Sequence, residues 1–410
     1  MPSFFEEVAD ENAVREMVRR GVSHEDISQY YQNIFPGRRG LSQRSVRRYC
    51  RVHNISRIND NELIGYVGNL VSIYGHSYGR RLMQGSITSM LGISSGAISE
   101  RRIARALHIV APREYQARAR DLLITTNPVP YYAPYFGYKA HFDQNEKIAM
   151  YGCTHVIMVD GCSRLIVGYA DMPIKNAIVI YDKIFRPAMV EYGIWDQVWM
   201  DHGQEFCLVS YAQNSISHIR NNQEREPFRR TPSTSNYVVE RFWPEINSRI
   251  NYPIKRILNL LIEQEDFDLN DPVFKYSLSR TVLYIVSDAV NHFINSWNHH
   301  RVPGPRGCVP IECMQSSSRT ARVHDHQIPL VVDAVQSYER SGGNLTRISE
   351  FGNDPLGLSD ILYQQREVIF HKNVPTSPEV FSSIVYGRSE LLRHCLITFY
   401  DITLQLAARC

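Results

Sequence analysis

Residues 138–171 read YKAHFDQNEKIAMYGCTHVIMVDGCSRLIVGYAD. Three segments within them, YKAHFDQ, CTHVIMVD and RLIVGYAD, are apolar and β-branched and are parted by short polar turns. Short apolar runs bounded in this way read as three consecutive strands. Residues 174–192 then change to a helical pattern, and QVWMD is a short buried strand ending at Asp201. A long helical pattern begins near Asn236, after a polar stretch from Ser215 to Ser235. Three strands, helix, strand and helix make an α/β arrangement with a mixed sheet.

Upstream, residues 127–138 (NPVPYYAPYFGY) are rich in Pro and Tyr and cannot continue a helix, so 127–137 is read as a linker. The chain before it is helical and rich in arginine. Residues 12–53 suggest three short helices: Ala13 to Arg20, a second capped by Ser23 and running to about Ile34, and a third capped by Ser42 over Gln43 to His53. Pro36-Gly37 separates the last two. Arg44, Arg47, Arg48 and Arg51 share one face of the third helix. A helix pair followed by a basic helix is how helix-turn-helix modules address the major groove; the same spacing also fits a plain solvated face. A second unit, from Asn61 to about Val110, is interrupted at Gly92–Gly96, and Ser99 caps a helix bearing Arg101, Arg102 and Arg105.

Charge follows the same division. Residues 1–121 hold 18 Arg, no Lys and 12 acids, whereas the remainder holds 27 basic and 30 acidic residues. The whole chain of 410 residues is 43% hydrophobic and 21% charged, ordinary for a globular protein. The start of the sequence lacks the apolar region of a secretory signal, and no apolar run reaches membrane-spanning length. Eight cysteines show no C-x-x-C pair, which reads as reduced thiols in an intracellular compartment. Residues 268–300 read as helix, and the tail beyond carries strand-like pieces (REVIFHKN, SSIVYG) without a recognisable site.

Asp143 lies within the first strand, Asp201 ends a later one, and Glu240 opens a helix. Carboxylates brought together from such positions can share hard divalent cations, and paired ions can activate an attacking hydroxyl and stabilise the leaving oxygen of a phosphodiester. Residue type alone is weak support, since 42 acids are available and most strand-end aspartates serve turns.

The wording around these acids is more specific. HFDQNEK, VDGCSRLIVGY, MDHGQEF and NYVVERFWPEIN, in that order, resemble the integrase core of eukaryotic transposon and retrovirus-like elements. The nearest likeness is to the metazoan integrase core domain proteins, with blocks reading like IDGNHK, IDGYSRLIV, SDHGGEN and NQRIERLW. The separations of 58 and 39 residues between the three acids are close to the D,D-35-E pattern. The resemblance covers 138–265 and implies an RNase H-like fold: a mixed five-stranded sheet with flanking helices, preceded by helix-turn-helix-like units.

Carried over position by position, it implies Asp143, Asp201 and Glu240 as catalytic ligands of Mg²⁺ or Mn²⁺. Asp160 matches an acidic position outside that set and is taken as structural, with Ser163 and Arg164 shaping the turn. His202 and Gly203 match the turn after the second ligand, where glycine permits close approach to DNA, and Asn236 is placed to orient the scissile phosphate. Double-stranded DNA, a homo-oligomer on paired DNA ends and a nuclear location are implied as well.

There are departures. Gln144 replaces a glycine beside the first ligand, Gln204 precedes Glu205 where the family has glycine, and Pro244 removes a helical hydrogen bond just past Glu240, which suggests a kink or a late helix start. No zinc-binding N-terminal module is present in the sequence, and the arginine helices take its place.

The expected organisation is a helix-turn-helix-like unit at 1–58, a second helical unit at 59–126, the linker, the core at 138–265, a helical extension at 266–315 and a C-terminal region at 316–410. The function expected is DNA integration by metal-dependent cleavage and strand transfer. The alternative is a domesticated nucleic-acid-binding protein, derived from a mobile element, that no longer cuts.

Overall fold

A computed structural model describes residues 4–19, 22–53, 55, 58–93, 97–115, 131–231, 236–264, 267–302, 307–357 and 359–409. Arg20, Arg118, Arg120 and residues 127–130 of the expected linker lie outside the described residues. The chain forms two compact units, residues 1–71 with 78–124, and residues 72–77 with 125–410.

The first unit is helical. Its first half comprises α1 (Phe4–Val8), α2 (Glu11–Arg19), α3 (His24–Ile34) and α4 (Gln43–Val52). Ser23 and Ser42 cap α3 and α4 as their positions suggested, each side chain accepting a backbone N–H three residues on. Val46, Tyr49 and Cys50 are buried on one face of α4, packed with Val14, Ile27 and Tyr31. Short α1 was not foreseen: it places fully buried Phe5 edge-on to Tyr31 and Tyr49. The second half holds α5 (Asp60–Tyr74), α6 (Arg80–Leu91) and α7 (Glu100–Val110), with Ser99 capping α7.

The second unit is built on a five-stranded mixed sheet of order β3-β2-β1-β4-β5. Its strands are β1 (Ala140–Asn145), β2 (Thr154–Asp160), β3 (Ile166–Met172), β4 (Val198–Met200) and β5 (Phe228–Arg230). β2 is antiparallel to both β1 and β3, while β4 is parallel to β1 and β5 parallel to β4. β1, β3, β4 and β5 therefore point the same way, and their C-terminal ends share one edge of the sheet. The alternation of β1 divides its residues between two layers. Ala140 and Phe142 join an apolar core with Val156, Met158 and the helical stretch 177–192. His141, Asp143 and Asn145 face the opposite layer, where residues 236–264 pack.

The stretch 177–192 is α8 (Ala177–Ile180), a π-helical turn at Tyr181–Phe185 and α9 (Arg186–Tyr192), followed after β4 by α10 (Cys207–Ser215). The opposite layer holds α11 (Tyr237–Glu240), α12 (Trp243–Ile246), a second π-helical turn at Asn247–Asn251 and α13 (Tyr252–Gln264). Each π-helical turn ends just before a proline, Pro187 or Pro253, whose ring nitrogen has no hydrogen to give the carbonyl four residues earlier. Pro244 acts as anticipated: the helix stops at Glu240 and starts again at Trp243, with the proline in its first turn.

A 28-residue helix, α14 (Pro272–His299), lies along β3. Its Asn298 side chain pairs with both backbone groups of Ile166, at 2.9 and 3.0 Å. Beyond it come α15 (Pro310–Ser317), α16 (Val331–Arg340), α17 (Asp360–Asn373), α18 (Ser377–Val385) and α19 (Glu390–Ala407).

The strand-like reading of REVIFHKN and SSIVYG is corrected, because both segments are helical. Thr376 and Glu379 form a reciprocal capping box that starts α18. In α17 the buried positions are Arg366 and Phe370, a helical spacing. Arg366 reads as polar in a sequence window, yet it is fully buried and held by both oxygens of Asp354 at 2.8 and 2.7 Å. Among the described residues, no helix is long and apolar enough to cross a membrane.

Candidate active site

The outward face of β1 meets the second helical layer through a row of polar pairs. His141 Nδ1 donates to Asn236 Oδ1 at 2.7 Å, and Asn236 Nδ2 donates to the Phe142 carbonyl at 2.7 Å. Two residues along the strand, the Trp243 indole donates to Asp143 Oδ2 at 2.7 Å. Two further on, Asn145 donates to Asn247 at 2.9 Å, and Asn251 ties Asn247 to His155 of β2. Positions 141, 143 and 145 thus each hold one point of the broken helix. The polar groups are buried in pairs, as burial requires.

This row places Glu240. The backbone N–H of Glu240 bonds the Asn236 carbonyl at 3.4 Å, and the Asn236 side chain is fully buried against β1. The expectation that Asn236 meets the scissile phosphate is therefore corrected: both ends of its amide are consumed in docking α11 onto β1. It positions Glu240 and is out of reach of DNA. His141 is held neutral, since burial drives its pKa down to about 3; its Nε2 accepts the Tyr131 hydroxyl at 2.7 Å.

Asp143 is 8% exposed, and Asp201 and Glu240 are half-buried. Burial raises the Asp143 pKa from 3.8 to about 6. The Trp243 and Gln144 hydrogen bonds oppose the rise, while the negative charges of Asp201 and Glu240 add to it. Burial also raises Glu240. Asp201 and Glu240 are thus both in electrostatic reach of Asp143, at the C-terminal edge of β1 and β4. They are not drawn into a ligating set: among the described residues, no three His, Cys, Asp or Glu side chains are close enough to hold one ion. Their donor chemistry, three carboxylates with one pKa raised partly by the others, fits a hard divalent cation.

Asp201 Oδ1 accepts the Gly203 N–H at 2.9 Å, closing a tight turn that leaves His202 exposed. A Cβ at Gly203 would meet the carboxylate of Glu205, the far end of a flexible side chain. Glu205 in turn pairs with Lys175 at 3.4 Å, and Lys175 also pairs with Glu146. This cation at the same sheet edge was not foreseen, because residues 146, 175 and 205 meet only once β1, β3 and β4 are aligned. Both polar atoms of the Gln144 side chain are buried without a hydrogen-bond partner among the described residues.

Asp160 sits at the far end of β2 and is fully buried. Its carboxylate accepts from the backbones of Cys162, Ser163 and Gly137, the Ser163 hydroxyl and the Trp195 indole, at 2.7 to 3.0 Å. It closes the β2–β3 turn, in which Arg164 has φ of 64°.

The basic helices divide. Arg44, Arg47, Arg48 and Arg51 are all exposed on α4, opposite its buried face, and none makes an ion pair among the described residues. On α7, Arg101 is exposed, but Arg102 is bound to Asp60 at 2.7 Å and to the Ile58 carbonyl. Arg102 ties α7 to the start of α5. Arg105 is 69% exposed and reaches Asp60 only at 3.8 Å.

No curated protein matches the chain. The family model for the integrase core domain matches residues 131–326, extending past the second helical layer to include α14. Sheet order, flanking helices and this match together identify residues 131–326 as an integrase core domain with the RNase H-like fold.

Proposed function

We propose that the protein is a DNA integrase or transposase-like enzyme in which Asp143, Asp201 and Glu240 hold divalent metal. The observation that carries this reading is the electrostatic influence of Asp201 and Glu240 on Asp143 at one sheet edge, with Glu240 pinned over β1 by Asn236. Mg²⁺ or Mn²⁺ bound there would polarise a phosphodiester and lower the pKa of an attacking hydroxyl. Water or a 3′-hydroxyl forms the new P–O bond while the P–O3′ bond breaks. The nucleophile's proton leaves to solvent, and the departing 3′ oxygen takes one up.

The protein's own contribution is placement. Asn236 and Trp243 fix the two halves of the interrupted helix to β1, and the Gly203 turn fixes Asp201. Exposed Arg44, Arg47, Arg48, Arg51, Arg101 and Arg105 contact duplex phosphates. Action on paired DNA ends calls for an oligomer, and a chromosomal target for a nuclear location.

A strand-transfer assay with Mn²⁺ on short duplexes carrying the element's termini tests the proposal. Joined products from the wild type, absent from the Asp143→Asn, Asp201→Asn, Glu240→Gln variant, are expected. A second reading, a DNA-binding protein that no longer cuts, is favoured by the Trp243 bond that engages Asp143. DNA binding without metal-dependent cleavage in the same assay would support it.

A further inference from the structure

Beside the acids, on the same sheet face, lies a platform of cations and aromatic rings. Trp199 on β4 is two residues before Asp201, and its register partners are His141 on β1 and Arg229 on β5. One strand repeat of two residues, about 7 Å, therefore separates this row from the Asp143–Asp201 row. Lys139 Nζ lies 4.4 Å from the Trp199 ring centroid and 5.0 Å from that of Tyr131, and Arg229 lies 5.2 Å from the Trp199 ring. Arg225 stacks on Tyr138 at 3.8 Å.

The surface is braced. Gln197 Oε1 accepts from both the Trp199 indole and the Arg225 guanidinium, each at 2.6 Å, so one side chain anchors both the ring and the cation. A side chain at Gly161 would strike the Tyr131 hydroxyl. Among the described residues, Lys139, Arg225 and Arg229 form no ion pair. Burial, with the smaller effect of Arg225 and Arg229 beside it, lowers the Lys139 pKa to about 8.

Aromatic rings interleaved with cations that have no acidic partner among the described residues match what an unpaired nucleic-acid strand presents, bases to meet rings and phosphates to neutralise, once a phosphate draws a cation off its ring. A plain duplex hides its base faces. The geometry points to Trp199, Lys139, Arg225 and Arg229 as a binding platform for an unpaired DNA strand running into the acid cluster. This rests on the reading of the core as a DNA-binding domain and is independent of whether the acids cut. The platform explains how a frayed terminus would be held open beside the acids.

The experiment measures binding by the full chain in EDTA, so that catalysis does not enter. Fluorescein-labelled oligothymidylate, an abasic oligomer of equal length and a blunt duplex are the probes. Trp199→Leu should weaken oligothymidylate binding at least about fivefold and leave the abasic oligomer unchanged. Lys139→Gln with Arg229→Gln should weaken both single strands and lower the log–log salt slope by about 1.4. Trp199→Phe should retain binding while removing the quench of intrinsic tryptophan fluorescence that oligothymidylate causes. Equal loss in Trp199→Leu for the thymidylate and abasic strands would overturn the platform, as would its retention of full affinity. Should Trp199→Leu fail to fold, the fluorescence and salt-slope results decide alone. Cleavage by the wild type in Mn²⁺ is measured separately, so loss of the platform and loss of catalysis give different patterns.

Discussion

Asp143→Asn keeps the shape of the side chain and an oxygen able to accept the Trp243 hydrogen, but removes a charge from a site 8% exposed. In the folded protein the Asp143 pKa is raised from 3.8 to about 6. An acid with a raised pKa favours the fold when protonated; that contribution is full below the unfolded value and is lost as pH rises through about 6. The rise corresponds to about 3 kcal/mol of stability lost to ionisation by neutral pH. Asn does not incur this loss, though its amide hydrogens cannot replace the acceptor that the Gln144 backbone uses. A net gain of about 1–2 kcal/mol at pH 7.5 is expected. Urea unfolding in EDTA at pH 7.5 and at pH 4 measures it. The gain should be present at pH 7.5 and nearly gone at pH 4. A variant less stable than wild type by the same margin at both values would refute the argument and make Asp143 a structural acid.

Asp160→Asn should do the opposite, costing about 3 kcal/mol in the same unfolding assay, because an amide donor would face five donors. Asn236→Leu should cost about 2 kcal/mol, leaving His141 Nδ1 and the Phe142 carbonyl without partners. Its cleavage rate should fall further than its stability explains, since Glu240 is misplaced. Replacing Arg44, Arg47, Arg48 and Arg51 by Ala should weaken duplex binding and flatten its salt dependence by up to about 0.9 per lost phosphate contact; a folded variant with an unchanged slope returns α4 to a solvated face.

Much of this architecture could be read before folding because local signals and tertiary demands agree. The second strand carries the apolar run Val156–Val159, buried on both faces, and Ser23, Ser42 and Ser99 mark helix starts that tertiary contacts leave alone. β5 escaped notice because Phe228–Arg230 is a three-residue, half-polar edge strand defined only by its pairing with β4. The C-terminal segments misled because β-branched residues sit where capping by Thr376 and burial of Arg366 decide the outcome. At the site, acids were findable from their surrounding words. The work of Asn236 and Arg102 was not, since a buried amide and an inter-helix guanidinium look like surface contacts in sequence. The platform was equally hidden: residues 139, 199, 225 and 229 become neighbours only through the parallel register of β1, β4 and β5.

The central claim is that Asp143, Asp201 and Glu240 form a metal site for phosphodiester chemistry. Mn²⁺ titration by calorimetry, on the wild type and on the Asp143→Asn, Asp201→Asn, Glu240→Gln variant, tests it most directly. Saturable binding to the wild type, absent from a variant at least as stable in EDTA, is the predicted result. Equal Mn²⁺ binding by both proteins, or none by either, would contradict it.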